Sequence, residues 1–137
     1  MEKQTWSTVE EAIRAADRAI TAEDFDALME FYTDDAMLVV KPGAVARGKE
    51  QIRKAFVHIA EHFRHKLVVR QGRMEVLEAG ATALAVMETV LEIGGGSEPE
   101  RVTRRATYVF NKIRGRWLCS VDNSYGTALL DAPPATT

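Results

Sequence analysis

Apolar residues in the first half of the chain recur at three- and four-residue spacing. In the second half they recur mostly every second residue. Ile13, Ala16 and Ile20 share one helical stripe, with Ala12, Ala15 and Ala19 adding propensity, and they predict a helix over about 8–21. Ser7-Thr8-Val9-Glu10 fits a capping box at its start, with Ser7 as the oxygen that caps a free N–H. Thr21 and Asp24 bracket a shorter helix carrying Phe25, Leu28, Met29 and Tyr32, which Thr33-Asp34-Asp35 ends. Met37–Lys41 reads as a short strand, Pro42-Gly43 as a turn. Lys49 to about Arg64 is a third helix, laying Ile52, Phe56, Ile59 and Phe63 on one face.

Four long strands follow at about 66–78, 81–93, 101–113 and 116–127. Gly80, Gly94-Gly95-Gly96-Ser97 and Arg114-Gly115 supply the turns. Helices first and a strand meander second predict an α+β domain with helices on one face of a curved, mainly antiparallel sheet. The reading is one domain over 1–137, with a core of about 8–128 and a frayed tail over 129–137. In Ala81–Ile93 one parity carries Ala83, Ala85, Met87, Leu91 and Ile93, the other Leu84, Val86 and Val90. Two apolar faces predict helices on one side and a second subunit on the other. The alternative is a monomer whose curved strand buries opposite faces at its two ends.

Composition narrows the function classes. The 137 residues are 46% hydrophobic and 28% charged, with 18 basic and 20 acidic side chains and a net charge of −2. That balance argues against nucleic acid as a partner, which would need a strongly basic face. No run has the roughly 18 apolar residues of a membrane span, and residues 1–7 have no signal-peptide core, so a cytoplasmic protein is expected. Cys119 is the one cysteine and reads as a small core residue. His58, His62 and His65 share a helical stripe, but no acid or cysteine accompanies them, so no metal site is assigned. Nucleophile elbow, phosphate loop and dinucleotide fingerprint are all missing, and no cofactor is expected.

Phe31-Tyr32-Thr33-Asp34-Asp35-Ala36-Met37, then Pro42-Gly43, then Arg47-Gly48-Lys49, link a short helix to a strand, a turn and a helix start. This order resembles the nuclear transport factor 2-like superfamily, which includes ketosteroid isomerases and SnoaL-like polyketide cyclases. The ending from Trp117 to Gly126 looks like its SgcJ/EcaC-type branch. The resemblance runs from about Val9 to Gly126. It implies a cone-shaped fold with three N-terminal helices on a strongly curved sheet and a hydrophobic pocket between them. The isomerase groups do not carry over. By alignment, the shuttle Asp before a Pro is Lys41 here, the oxyanion Tyr falls near Ala16, and the protonated Asp falls near Ala106.

Two ionisable residues remain as catalytic candidates. Lys41, if it points inward, is an ammonium in an apolar cone, fit to act as base or anion anchor; the other reading is a solvated strand end. Asp122 sits in mid-strand, where an acid needs partners or a wet cavity. Strict alternation places it with Ser120 and Ser124, opposite Trp117, Cys119, Val121, Asn123 and Tyr125. SnoaL-like cyclases use a pocket carboxylate to take a proton beside a carbonyl, so the resemblance implies that role for Asp122. Its structural alternative is a pair with Arg104 or Arg105. Tyr32, Tyr108, Ser120 and Arg104 complete the candidate ligand-binding set. Two functions stay open: a pocket protein acting on a hydrophobic carbonyl compound as isomerase, cyclase or hydratase, or a non-catalytic association module. A cone plugged by Met29, Phe56 and Met87 would point to the second.

Overall fold

A computed structural model of the chain describes residues 8–94 and 97–131. The elements are α1 (Val9–Ala22), α2 (Phe25–Met29), β1 (Tyr32–Lys41), β2 (Ala44–Arg47), α3 (Gly48–His62), β3 (Leu67–Ala79), β4 (Thr82–Ile93), β5 (Glu100–Ile113), β6 (Arg116–Asn123) and a 3-10 turn (Gly126–Asp131). Ser7, the tip glycines 95 and 96, and the tail from 132 lie outside the described residues.

α1 starts where its polar cap allows. The Thr8 hydroxyl accepts from the Glu11 N–H at 3.1 Å, one residue later than the expected Ser7 cap. Thr8→Ala should lower stability by about 1 kcal/mol in urea unfolding, with an unchanged m-value. The inner face of α1 carries Val9, Ala12, Ile13, Ala16, Asp17 and Ala19, all buried. The small alanines let this helix lie close on β3.

α2 is shorter than its apolar stripe predicts, and Tyr32 opens β1 instead of closing a helix. The cause is non-local. The Phe31 carbonyl accepts the Cys119 N–H at 2.8 Å, so pairing with β6 draws residues 31 and 32 out of helical geometry. Phe31 then sets its ring edge-on to Tyr32, Tyr108 and Phe110, with centroids 5.0, 6.3 and 5.6 Å away. β2, which pairs with β1 across the Pro42-Gly43 turn, was not foreseen.

The sheet runs β2-β1-β6-β5-β4-β3. All neighbours are antiparallel except β1 and β6. Two bulges bend it. On β3, Gly72 and Arg73 together face Glu88, between the pairs Gln71–Thr89 and Met74–Met87. On β6, Ser120 is the extra residue between the pairs Val109–Val121 and Phe110–Cys119. The concave face presents Ala83, Ala85, Met87, Ala106, Phe110 and Trp117 to α1, α3 and the buried start of β1. The result is the expected α+β architecture, helices on one face of a curved six-stranded sheet.

Three expectations for element ends change. β6 stops at Asn123, not at 127, because the Asn123 side chain turns the chain. Its amide donates to Thr107 Oγ1 and the Gly126 carbonyl, and its Oδ1 accepts the Tyr125 N–H. Residues 126–131, expected in part as tail, form the 3-10 turn against β5. α3 ends at His62, so the three histidines share no stripe. His65 takes a left-handed conformation and pairs with Glu23 at 2.8 Å.

Candidate functional site

The inner face of the sheet is ordered in cross-strand rows. One row carries Gln71, Thr89 and Arg104 on β3, β4 and β5. The next carries Met74, Met87 and Ala106, and the next Val76, Ala85, Tyr108 and, on β6, Asp122. Polar groups therefore enter an apolar face at two levels, separated by a row holding Ala106.

The bulge at Ser120 decides the position of Asp122. Strict alternation would put Asp122 with Ser120, opposite Cys119. The extra residue resets the parity, and Asp122 joins Trp117 and Cys119 on the buried face. Ser120 goes the other way, donating to the Val109 carbonyl at 3.2 Å and lying 3.4 Å from Asn111 Oδ1. The structure thus removes Ser120 from the interior set.

Asp122 is 3% exposed and surrounded by hydroxyls. Tyr32 donates to its Oδ2 at 2.6 Å, a short charge-assisted bond. Ser124 donates to its Oδ1 at 3.4 Å and lies 3.4 Å from the Tyr108 hydroxyl. Neither Arg104 nor Arg105 pairs with it. Arg105 reaches Glu88 at 3.8 Å, and Arg104 stacks on Tyr125. Burial raises the Asp122 carboxyl to about 6, and hydrogen bonds from Tyr32, Tyr108 and Ser124 hold it from rising further. Burial, then the Asp122 charge, push the phenols of Tyr32 and Tyr108 well above their ordinary range, so both remain donors.

The second carboxyl was missed. Asp17 comes from the inner face of α1 and is 8% exposed. Gln71 Nε2 donates to its Oδ2 at 2.9 Å, and Thr89 fixes Gln71 by donating to Oε1 at 3.2 Å. Burial lifts Asp17 to about 7. The Gln71 bond opposes this, and the Asp122 charge adds to it. A signal was available: Asp17 stands four residues after Ile13 and three before Ile20, inside the apolar stripe of its own helix. Position 17 also neighbours Ala16, where the alignment had found the isomerase tyrosine lost.

Lys41 is corrected outright. It is exposed at the end of β1, beside the turn to β2, and does not enter the interior. The strand alternates past a register shift, and residue 41 closes the hairpin against Ala44. Tyr32, Tyr108 and Asp122 converge in the buried interior. Arg104 lies on the same face two rows away. Cys119 is buried core, and burial pushes its thiol well up.

The SnoaL-like domain profile matches residues 9–120. The chain belongs to the SnoaL-like domain family. Solved relatives share its shape. A nuclear transport factor 2-like protein with a cystatin-like fold from Novosphingobium aromaticivorans is 18% identical, covering 83% of this chain and 76% of that one, at TM-score 0.75. A proposed dehydratase of the nuclear transport factor 2-like family from Streptomyces avermitilis is 20% identical, covering 84% and 91%, at TM-score 0.68. A proposed calcium/calmodulin-dependent protein kinase type II association domain from Thiobacillus denitrificans is 18% identical, covering 88% and 95%, at TM-score 0.72. No curated protein matches the chain significantly. At these identities the likeness establishes the cystatin-like fold. Among the described residues no helix is long and apolar enough to cross a membrane.

Proposed function

We propose that this SnoaL-like chain is an enzyme that moves a proton on a hydrophobic carbonyl compound inside the cone, in an isomerisation, cyclisation or hydration step. One observation carries the reading: two buried carboxyls share one apolar interior, and hydroxyl donors hold one of them. Burying two carboxyls costs stability, and groups shifted in this way concentrate at functional sites. Near neutral pH both carboxyls, raised to about 7 for Asp17 and about 6 for Asp122, lie close to half ionisation, and the hydroxyls of Tyr32 and Ser124 donate to Asp122 alone, which favours its ionised form. Asp122 therefore acts as the base toward a carbon next to the carbonyl. Protonated Asp17, oriented by Gln71, donates to the oxygen where charge develops. Tyr32 and Ser124 hold the Asp122 carboxylate in place, and Tyr108 is the nearest further donor. This acid and base would complete the proton transfer without a cofactor.

The test is exchange of α-hydrogen for deuterium in a panel of alkyl and aryl ketones in D2O, followed by mass spectrometry. Wild type should accelerate exchange of at least one ketone. Asp122→Asn, with its fold intact, should lose about a hundredfold. Equal exchange by wild type and Asp122→Asn would remove Asp122 from the role.

A second reading has its own support. Phe56 and Met87 are buried in the core, Met29 packs against it partly buried, and Asp122 has almost no exposure, so these side chains occupy the hollow beside the carboxyl. A hollow of about 180 Å³ does occur, but it lies at the β3 bulge by Arg73, Glu75, Val86 and Arg105, away from Asp122. On this reading the fold works as an association module, with Val68, Leu77 and Val86 on the outer face covered by a second copy of the chain. Absence of exchange on every ketone, together with a dimer in sedimentation that a charge at Leu77 dissociates, would select it.

A further inference from the structure

We propose that the molecule handled in the interior carries an anionic group of carboxylate size, and that Arg104 at the rim of the cone holds it. The inference rests on the interior reading above and adds the class of ligand.

Arg104 belongs to the inner face by register, opposite Thr89, whose hydroxyl joins Gln71 and Asp17. It is half-buried. Its guanidinium lies 4.5 Å from the centre of the Tyr125 ring, and the Tyr125 hydroxyl is itself fixed on the Val40 carbonyl at 3.1 Å. A guanidinium over a ring leaves N–H groups for another partner, and a carboxylate can accept two of them in parallel.

Among the described residues of β3, β5 and β6, only Arg73 and Arg104 are arginines that approach no acid, and Arg73 is exposed at the β3 bulge whereas Arg104 is half-buried. Arg70 and Arg101 share Glu92, Arg105 reaches Glu88, and Arg116 reaches Glu30. Among the described residues no carboxylate lies within 4 Å of the Arg104 guanidinium. Asp17 and Asp122 lie on the same face, but neither is paired with it. A cation that is oriented, partly desolvated and without a protein anion is arranged for an external one.

The spacing suits a single molecule. Arg104 and Tyr108 are four residues apart on β5, about 13 Å at the rise of a strand, and the arginine side chain covers part of that distance. Ala106 is the one inner-face residue of β5 between them, and Met74 and Met87 flank it across the sheet. An elongated apolar body with an acid at one end and a carbonyl at the other would follow this order of groups once the flexible Met74 and Met87 side chains, which fill the space between, move aside. Lys41, expected to be the anion anchor, is exposed and cannot compete.

Two dyes of one skeleton test this: anilinonaphthalene sulfonate and its uncharged parent, phenylnaphthylamine. Binding is followed by fluorescence, and its place by amide resonance shifts at Thr89, Ala106 and Tyr108. The sulfonate should bind wild type more tightly. Arg104→Gln should weaken the sulfonate about tenfold and leave the parent unchanged, and Arg104→Lys should restore part of the difference. Equal affinity of wild type for both dyes overturns the proposal. So does equal loss of both in Arg104→Gln, which would make the arginine mere support for Tyr125. If both dyes shift those amides and Arg104→Gln changes neither affinity, the anion anchor fails while the interior reading stands. If neither dye shifts them, the anion anchor fails, and the interior reading is decided by ketone exchange alone.

Discussion

Asp17→Asn should stabilise the protein at pH 8 and leave it unchanged at pH 4. Burial raises the Asp17 carboxyl from 3.8 to about 7 in the fold. Below pH 3.8 the folded and unfolded chains both carry this proton, and the group costs nothing. Between 3.8 and 7 the unfolded chain releases the proton while the folded chain keeps it. The folded state then binds more protons, so stability falls as pH rises. Above 7 the loss is complete, about 4 kcal/mol for this shift. Asn keeps an oxygen for the Gln71 donor and removes the titration. The free-energy difference between Asp17→Asn and wild type should therefore grow from near zero at pH 4 to at most about 4 kcal/mol at pH 8, read by urea unfolding. A difference that does not vary with pH would mean that Asp17 is solvated and no partner to Asp122. Asp122→Asn should show the same sign with a smaller amplitude, since Asp122 rises only to about 6 and Asn gives up the charge-assisted bond from Tyr32.

Gly126→Ala should cost about 2–4 kcal/mol, the largest effect expected outside the interior. Gly126 has φ of +54° and is buried where the chain leaves β6. A methyl group there would stand against the Arg105 carbonyl oxygen, well inside van der Waals contact. That atom belongs to the β5 backbone, which is held in the sheet and cannot turn aside as a side chain would. Gly80→Ala is the control. Its φ is +61° with nothing within 4 Å of the added methyl, so it should cost only the left-handed penalty, about 1 kcal/mol. Equal costs in the two variants would show that the 3-10 turn yields to the added methyl group.

These expectations depend on features that differ in how legible they were. The helix and strand pattern, the glycine turns and the α+β order follow from local physics: a period of 3.6 or 2, a cap, or a residue tolerant of positive φ. Asp122 stood out because an acid in mid-strand is conspicuous, whereas Tyr32 read as part of a helical apolar stripe. Asp17 was equally conspicuous in the stripe of α1 but was passed over, because a helix read alone does not show which of its residues meets Gln71.

The amino-acid sequence alone determined the type and order of the long elements, the α+β class and the apolar character of the interior, since each depends on neighbours within a few residues. Tertiary structure decided the site. Whether Asp122 faces in or out depends on one extra residue at Ser120, and that bulge is set by hydrogen bonds to β5. Tyr32 leaves its helix because Cys119, far along the chain, takes the Phe31 carbonyl. Lys41 turns outward, and Arg104 takes the rim, through strand register. Pairing between distant segments fixes parity, and a one-residue change of parity moves a side chain from the core to water.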